Sequence, residues 1–152
     1  MTGRTNGDLD GNSNSGNDDL FVVKYNSSGT KQWTKQLGSS PADSEYVTDN
    51  PNGVTTDSSG NVYVVGSTSG ALDGNSSAGN NDLFVVKFNS SGTKQWTQQL
   101  GTSSPDIAYG VATDSSGNVY VTGYTEGGLD GNSNAGNRDI FVVKYNSDGN
   151  KQ

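Results

Sequence analysis

Residues 53–68 read GVTTDSSGNVYVVGST, and residues 110–125 read GVATDSSGNVYVTGYT. Their first fourteen positions agree at twelve. Each stretch is a short Val/Thr run, then Asp-Ser-Ser-Gly, then a run of Val and Tyr. β-Branched and aromatic residues favour the pleated strand. An Asx residue followed by Gly favours a tight turn, because the Asx side chain bonds its own backbone and Gly accepts a positive φ. The stretch therefore reads as a β-hairpin, present twice.

Working outward, the rest of the chain repeats as well. LDGNS begins at Leu9, Leu72 and Leu129, and FVVK at Phe21, Phe84 and Phe141. Both are spaced by 63 and then 57 residues. Residues 9–37 match 72–100 at 24 of 29 positions, and 72–95 match 129–152 at 18 of 24. The unit is thus 57 residues, and a six-residue insert falls in the connector between Gly38 and Asn52. Fixed-period self-similarity of this kind marks a repeat architecture. Four strands are expected per unit: Gly110–Thr113, Asn118–Thr125, Asp139–Asn146 and, in the preceding unit, Lys94–Leu100. No segment carries a helical apolar period.

The alternation places each strand. In the third, Phe21, Val23 and Tyr25 face one way and Leu20 and Val22 the other, so both faces are expected to be covered. In the fourth, Trp33 and Leu37 share a face, with Gln32, Thr34 and Gln36 opposite. That is a half-exposed edge strand blunted by Lys31 and Lys35. The expected fold is all-β: a β-propeller-type repeat array of four-stranded antiparallel blades. Residues 1–40 form a partial blade, 41–103 a second blade with the insert in 38–52, and 104–152 a partial third.

GVATDSSGNVYVTGYT followed by DIFVVKYNSDGNKQ closely resembles the SBBP repeat, a bacterial β-propeller repeat, and the resemblance spans essentially the whole chain. It implies a secreted or cell-surface scaffold and brings no shared catalytic residues. Met1–Thr5 aligns with Val121–Thr125, and Lys151-Gln152 falls just inside a fourth strand, giving about two and a half units in an incomplete ring. Propellers typically close with about four to eight blades. The expectation is a piece of a longer propeller chain, or a homo-oligomer or polymer of copies that complete one another's blades.

Composition sets the outer bounds. Only 28% of residues are hydrophobic, and Leu, Ile, Val and Phe number 27 of 152. That level overlaps disordered chains, so it is the periodicity that argues for a fold. The net charge of −7 and pI near 4.2 disfavour nucleic acid and anionic membranes. Without His or Cys there is no His-based acid–base pair, disulfide, thiol chemistry or Cys/His zinc site. No apolar run reaches membrane-spanning length, so no membrane insertion is expected. Met1 is followed by no apolar core of a signal peptide, so a secreted product's signal is expected to lie upstream or to have been removed. The expected location is extracellular or cell surface.

In an up-and-down blade the two tight turns lie at one end and the two longer connections at the other. All the length and variation fall at the long-connection end, so binding groups are expected there. The ligand-face candidates are Glu45, Tyr46, Asp49, Tyr109 and Tyr124, and the ligands in view are surface glycans or proteins. The LDGNS loops place oxygen side chains at alternate positions: Asp10, Asn12 and Asn14; Asp73, Asn75 and Ser77; Asp130, Asn132 and Asn134. An acid then opens the third strand at Asp19, Asp82 and Asp139. Ca2+ takes this mix of carboxylates, amides and carbonyls. The spacing departs from an EF-hand, with no Gly at the sixth position and Phe21 at the twelfth. The alternative is that these Asx side chains cap their own turns.

Trp33 and Trp96 read as packing between blades rather than sugar platforms. Lys24, Lys87 and Lys144 are expected to extend into solvent. Asn26 and Asn89 fit an Asn-x-Ser pattern that reads here as a turn. Paired acids for glycoside hydrolysis exist, yet they recur with the unit, whereas an active site is singular. The expectation is no enzyme. The three readings are a binding or adhesion scaffold, a ring- or filament-forming subunit, and a lectin-like multivalent glycan binder.

Overall fold

The computed structural model describes residues 1–39 and 47–152 of the chain. Among these residues, ten strands form three antiparallel sheets. The first holds β1 (Thr2–Thr5), β2 (Asp19–Tyr25) and β3 (Lys31–Leu37). The second holds β4 (Asp49–Thr56), β5 (Val62–Thr68), β6 (Asp82–Phe88) and β7 (Lys94–Leu100). The third holds β8 (Asp106–Thr113), β9 (Val119–Thr125) and β10 (Asp139–Tyr145). Strands adjacent in sequence are adjacent in each sheet, the up-and-down order of a propeller blade.

The hairpins form for the reasons read from the sequence. Asp57 Oδ1 accepts the backbone N–H groups of Ser59 and Asn61, and Gly60 sits at φ +77°. Asn26 and Asn89 do the same for the turns between third and fourth strands. The first strand of a blade is longer than its sequence suggests. β4 and β8 run eight residues and start at Asp49 and Asp106, with register shifts between Pro51 and Gly53 and between Ala108 and Gly110. A bulge inserts one extra residue and breaks the period of two, which hides the first half of the strand from a pattern search.

Two apolar clusters hold the sheets together face to face. Leu20 and Val22 of the first sheet pack with Val64, Phe84 and Val86 of the second. On the other face of the second sheet, Tyr63, Val65 and Val85 pack with Val121, Phe141 and Val143 of the third. The middle sheet is therefore covered twice, and every residue of β5 is buried. β10 is covered once: Phe141 and Val143 are buried, while Ile140 and Val142 are 91% and 67% exposed.

Both tryptophans seal the boundary between sheets. Trp33 lies 6.1 Å from the Phe88 ring and donates to the Ser90 carbonyl at 3.1 Å. Trp96 sits between Tyr63 and Tyr145 and donates to Ser147 in the same way. The lysines depart from expectation. Lys24 Nζ donates to the carbonyls of Gly60 and Ser90, and Lys87 Nζ to that of Ser147, each in a turn of the second or third sheet. Lys24, Lys87 and Lys144 also lie over the rings of Trp33, Tyr63 and Tyr120. A lysine on a strand face turned toward the next blade, as Lys24 and Lys87 are, meets that blade's turn carbonyls and an aromatic ring before it meets water.

Candidate binding site at the long-connection end

The lysine bridges gather the tight turns at one end of the array. The LDGNS loops and the starts of β2, β4, β6, β8 and β10 lie at the other. In each loop the aspartate after Leu has a left-handed backbone: Asp10, Asp73 and Asp130 have φ between +53° and +56°. Asp and Asn are among the few side chains that tolerate this region. The carboxylates are engaged within the protein. Asp10 takes Lys31 and Thr34, Asp73 takes Lys94 and Thr97, and Asp130 takes Lys151. Hydrogen bonds from Lys31 and Thr34 hold the Asp10 carboxyl below its ordinary range.

The amides act as donors. Asn12, Asn75 and Asn132 each give Nδ2 to the carbonyl three residues back, at 2.9–3.0 Å. Asn14 donates to Gly16 and Asn134 to Thr125. The acids opening the third strand serve a second, separate set of bonds. Asp19 Oδ2 accepts Ser15 N and Gln36 Nε2, Asp82 Oδ2 accepts Ala78 N and Gln99 Nε2, and Asp139 Oδ2 accepts Ala135 N. Thus the structure splits the proposed oxygen set in two and puts a lysine ammonium against its first member. Among the described residues, no three or more acidic side chains converge as metal ligands would.

The acids that open the inner strands are deeper. Asp49 and Asp106 are fully buried. Asp49 accepts the backbone N and the Oγ of Ser39, and Asp106 accepts those of Thr102. These bonds tie the connection between blades to the inner strand. Burial pushes the Asp49 carboxyl up against the hydrogen bonds from Thr68 and Ser39, and the charge of Asp19 adds to the rise. Asp49, expected on the ligand face, is therefore an internal staple. Glu45 and Tyr46 lie outside the described residues.

Beside these staples a recess of about 560 Å3 opens against the inner strands. Tyr109, 55% exposed, and Tyr124 line it, their rings 5.9 Å apart and tilted by 36°. Burial raises the Tyr124 hydroxyl above its ordinary value, partly offset by Arg138. The Arg138 guanidinium lies 4.2 Å over the Tyr124 ring and donates Nε to Glu126 at 2.9 Å. Arg4 donates to Asn50 Oδ1 at 2.9 Å and stands 3.4 Å from Asp18. Asn52 is held by its own bond to the Ala108 carbonyl. Sequence reasoning found the two tyrosines and missed Arg4, Arg138 and the asparagines. The available signal was that these positions differ from unit to unit.

The model of the SBBP β-propeller repeat matches residues 32–72 and 95–130, just over half of the chain. The chain is 31% identical over 158 residues to the regulatory protein FlaEY of Caulobacter vibrioides, which covers 95% of this chain and 16% of that protein. It is also 31% identical over 160 residues to an uncharacterized WD repeat-containing protein of Acanthamoeba polyphaga mimivirus, covering 87% of this chain and 11% of that one. The chain thus spans less than a fifth of either relative's length. Among the described residues no helix is long and apolar enough to cross a membrane.

Proposed function

The chain belongs to the SBBP family of β-propeller repeats, and from that premise we propose that it is a non-catalytic scaffold that works at the cell surface or outside the cell. It presents its long-connection end to a partner and keeps the tight-turn end for holding blades together. The observation that carries this reading is the open recess at one end, lined by an exposed tyrosine and polar side chains, on a body whose other end is closed by lysine and tryptophan contacts. The acidic, Cys-free surface suits that setting. The absence of catalysis is supported by the acids: they recur with the unit, and they are engaged by backbone amides and by Lys, Thr and Gln side chains of the same blade. The test is retention of labelled chain on bacterial cell surfaces. Tyr109→Ala is expected to lower it about tenfold, a loss the size of one aromatic anchor, and Ser91→Ala in a tight turn to leave it unchanged. Equal retention of all three overturns the reading.

In this reading the LDGNS loops are capped turns and hold no calcium. Calorimetry with CaCl2 is expected to give no binding heat, and a chelator to leave Tm unchanged. A Tm that rises with Ca2+ restores the metal reading.

Assembly is a second reading, favoured by Ile140 and Val142. They repeat the positions of Leu83 and Val85, which are buried under the third sheet, and of Leu20 and Val22 under the second. The exposed pair would dock on the Phe21 face of another copy's first sheet, repeating the internal contact. Light scattering on a sizing column decides: a discrete multiple of 15.8 kDa supports assembly, and a monomer of that mass overturns it.

A further inference from the structure

The blades of this chain are near copies, yet the recess is not built from copied residues. The spacing of 63 and 57 residues puts Arg4, Ser67 and Tyr124 at one position of the unit, and Asp18, Asn81 and Arg138 at another. The strand register agrees: Arg4, Ser67 and Tyr124 pair with Leu20, Leu83 and Ile140, which are themselves one repeat position. Asn50 and Ile107 share a third position, Asn52 and Tyr109 a fourth. All four positions differ between units, and all four meet at this recess or its rim. The tight turns keep their Asx-Ser-x-Gly text from blade to blade. A structural role repeats with the blade, as the Trp, Lys and Asp staples do. Divergence gathered in one concavity makes a single site from a periodic body.

We propose that this recess binds a neutral saccharide of one or two sugar rings. The inference rests on the reading of the long-connection end as the binding face, and adds the ligand class. Size agrees, because about 560 Å3 lies within the usual range for small-molecule pockets. The chemistry is that of a polyol. Tyr109 offers a ring face for the apolar C–H side of a sugar, and Tyr109 and Tyr124 offer hydroxyls for its edge. Arg4, Asn50 and Asn52 offer planar forks and amides that bond adjacent hydroxyls. Existing bonds already fix these groups: Arg4 to Asn50, Asn52 to Ala108, Arg138 on Tyr124 and Glu126. Fixing them beforehand lowers the ordering cost of binding.

Charge decides between neutral and acidic ligands. The only two arginines of the chain stand here, which at first suggests an anion. Each is balanced by an acid of its own, Arg4 by Asp18 and Arg138 by Glu126. An anionic ligand would have to displace a carboxylate or sit beside one, inside a protein of net charge −7. A neutral polyol uses the same groups without breaking either pair.

The experiment is saturation-transfer NMR on the whole chain, with maltose, cellobiose, lactose and chitobiose as neutral probes. Digalacturonate and an Asp-rich peptide serve as acidic probes. Saturation transfer to at least one neutral disaccharide is expected, with a Kd on the order of 1 mM for so open a site. Tyr109→Ala should weaken it about tenfold while Tyr109→Phe stays within about twofold, because the ring face carries the contact. Tyr109 is largely exposed, so neither variant endangers the fold. Transfer to the acidic probes alone, lost in Tyr109→Ala, overturns the saccharide while leaving the binding face standing. Neutral binding that survives Tyr109→Ala, or no transfer to any probe, overturns the site.

Discussion

The two ends of this array follow different rules. At the tight-turn end, the blades repeat nearly the same residues, and turns of the second and third sheets are tied to the preceding blade: Lys24 to Gly60 and Ser90, Lys87 and Trp96 to Ser147. At the long-connection end, the loop asparagines cap their own turns and the loop aspartates take side chains of the same blade, while the inner positions diverge into the Arg4, Tyr109, Tyr124 and Arg138 set. Repetition and divergence thus separate in space. The end that specifies how blades stack cannot vary without loosening a contact made at every junction. The other end is relieved of that duty by its internal caps.

The largest break in this comparison is expected from Trp96→Ala. It removes ring contacts to Tyr63 and Tyr145 and the bond to Ser147, and should cost about 3 kcal/mol, the lower part of the range for losing a large aromatic. Urea unfolding measures it. Tyr109→Ala at the other end should shift the midpoint little.

The glycines sharpen the contrast. Gly92 has φ +84°, and a Cβ there would stand 2.9 Å from the Trp33 ring; Gly74 has φ +79° and nothing within 4 Å. Gly74→Ala therefore costs only the left-handed backbone, about 1–2 kcal/mol. Gly92→Ala carries the same cost plus a displaced tryptophan. Thermal melts of the two variants should separate, with Gly92→Ala the lower.

Acid titration sets the turns against the staples. Asp57 is raised by burial and pulled lower, on balance, by hydrogen bonds from Asn61, Tyr63 and Ser59. Asp114 is lowered by Asn118 first, against burial, with Tyr120 and Ser116 adding. A carboxyl lowered in the folded state gives stability that is full above its unfolded value, near 3.8, and is lost as pH falls through the folded value. Asp49 is raised, so its contribution runs the other way: present in acid, lost as pH rises through its folded value. Tm should thus fall below about pH 4, and less steeply in the Asp57→Asn/Asp114→Asn double variant. Asp49→Asn should steepen the acid fall by removing the opposing term.

The smallest effect is expected for Lys94→Ala. Its partner Asp73 lies on the surface of a capped loop, and an exposed ion pair contributes about 0.5 kcal/mol or less. A double-mutant cycle with Asp73→Ala measures it. A coupling several times larger would make the long-connection loops part of the frame and erase the difference between the ends.

The amino-acid sequence made legible the β-class, the unit, the hairpins and the packing role of both tryptophans. All of these are written in local periodicity and turn chemistry, which repetition amplifies. It did not determine where the inner strands begin, because a bulge at Pro51 and Ala108 breaks the alternation. Nor did it reveal the bonds of Lys24 to the next blade or the burial of Asp49, since their partners stand 10 to 66 positions away. Oxygen spacing in the LDGNS loops left ligand set and turn cap both open; the tertiary structure alone placed Lys31 against Asp10 and Gln36 against Asp19. Likewise, Arg4 and Tyr124 are 120 residues apart in the chain and line one recess. Local pattern fixes how a strand turns and which way its side chains face. Only the stacking of one sheet on the next decides which side chains meet.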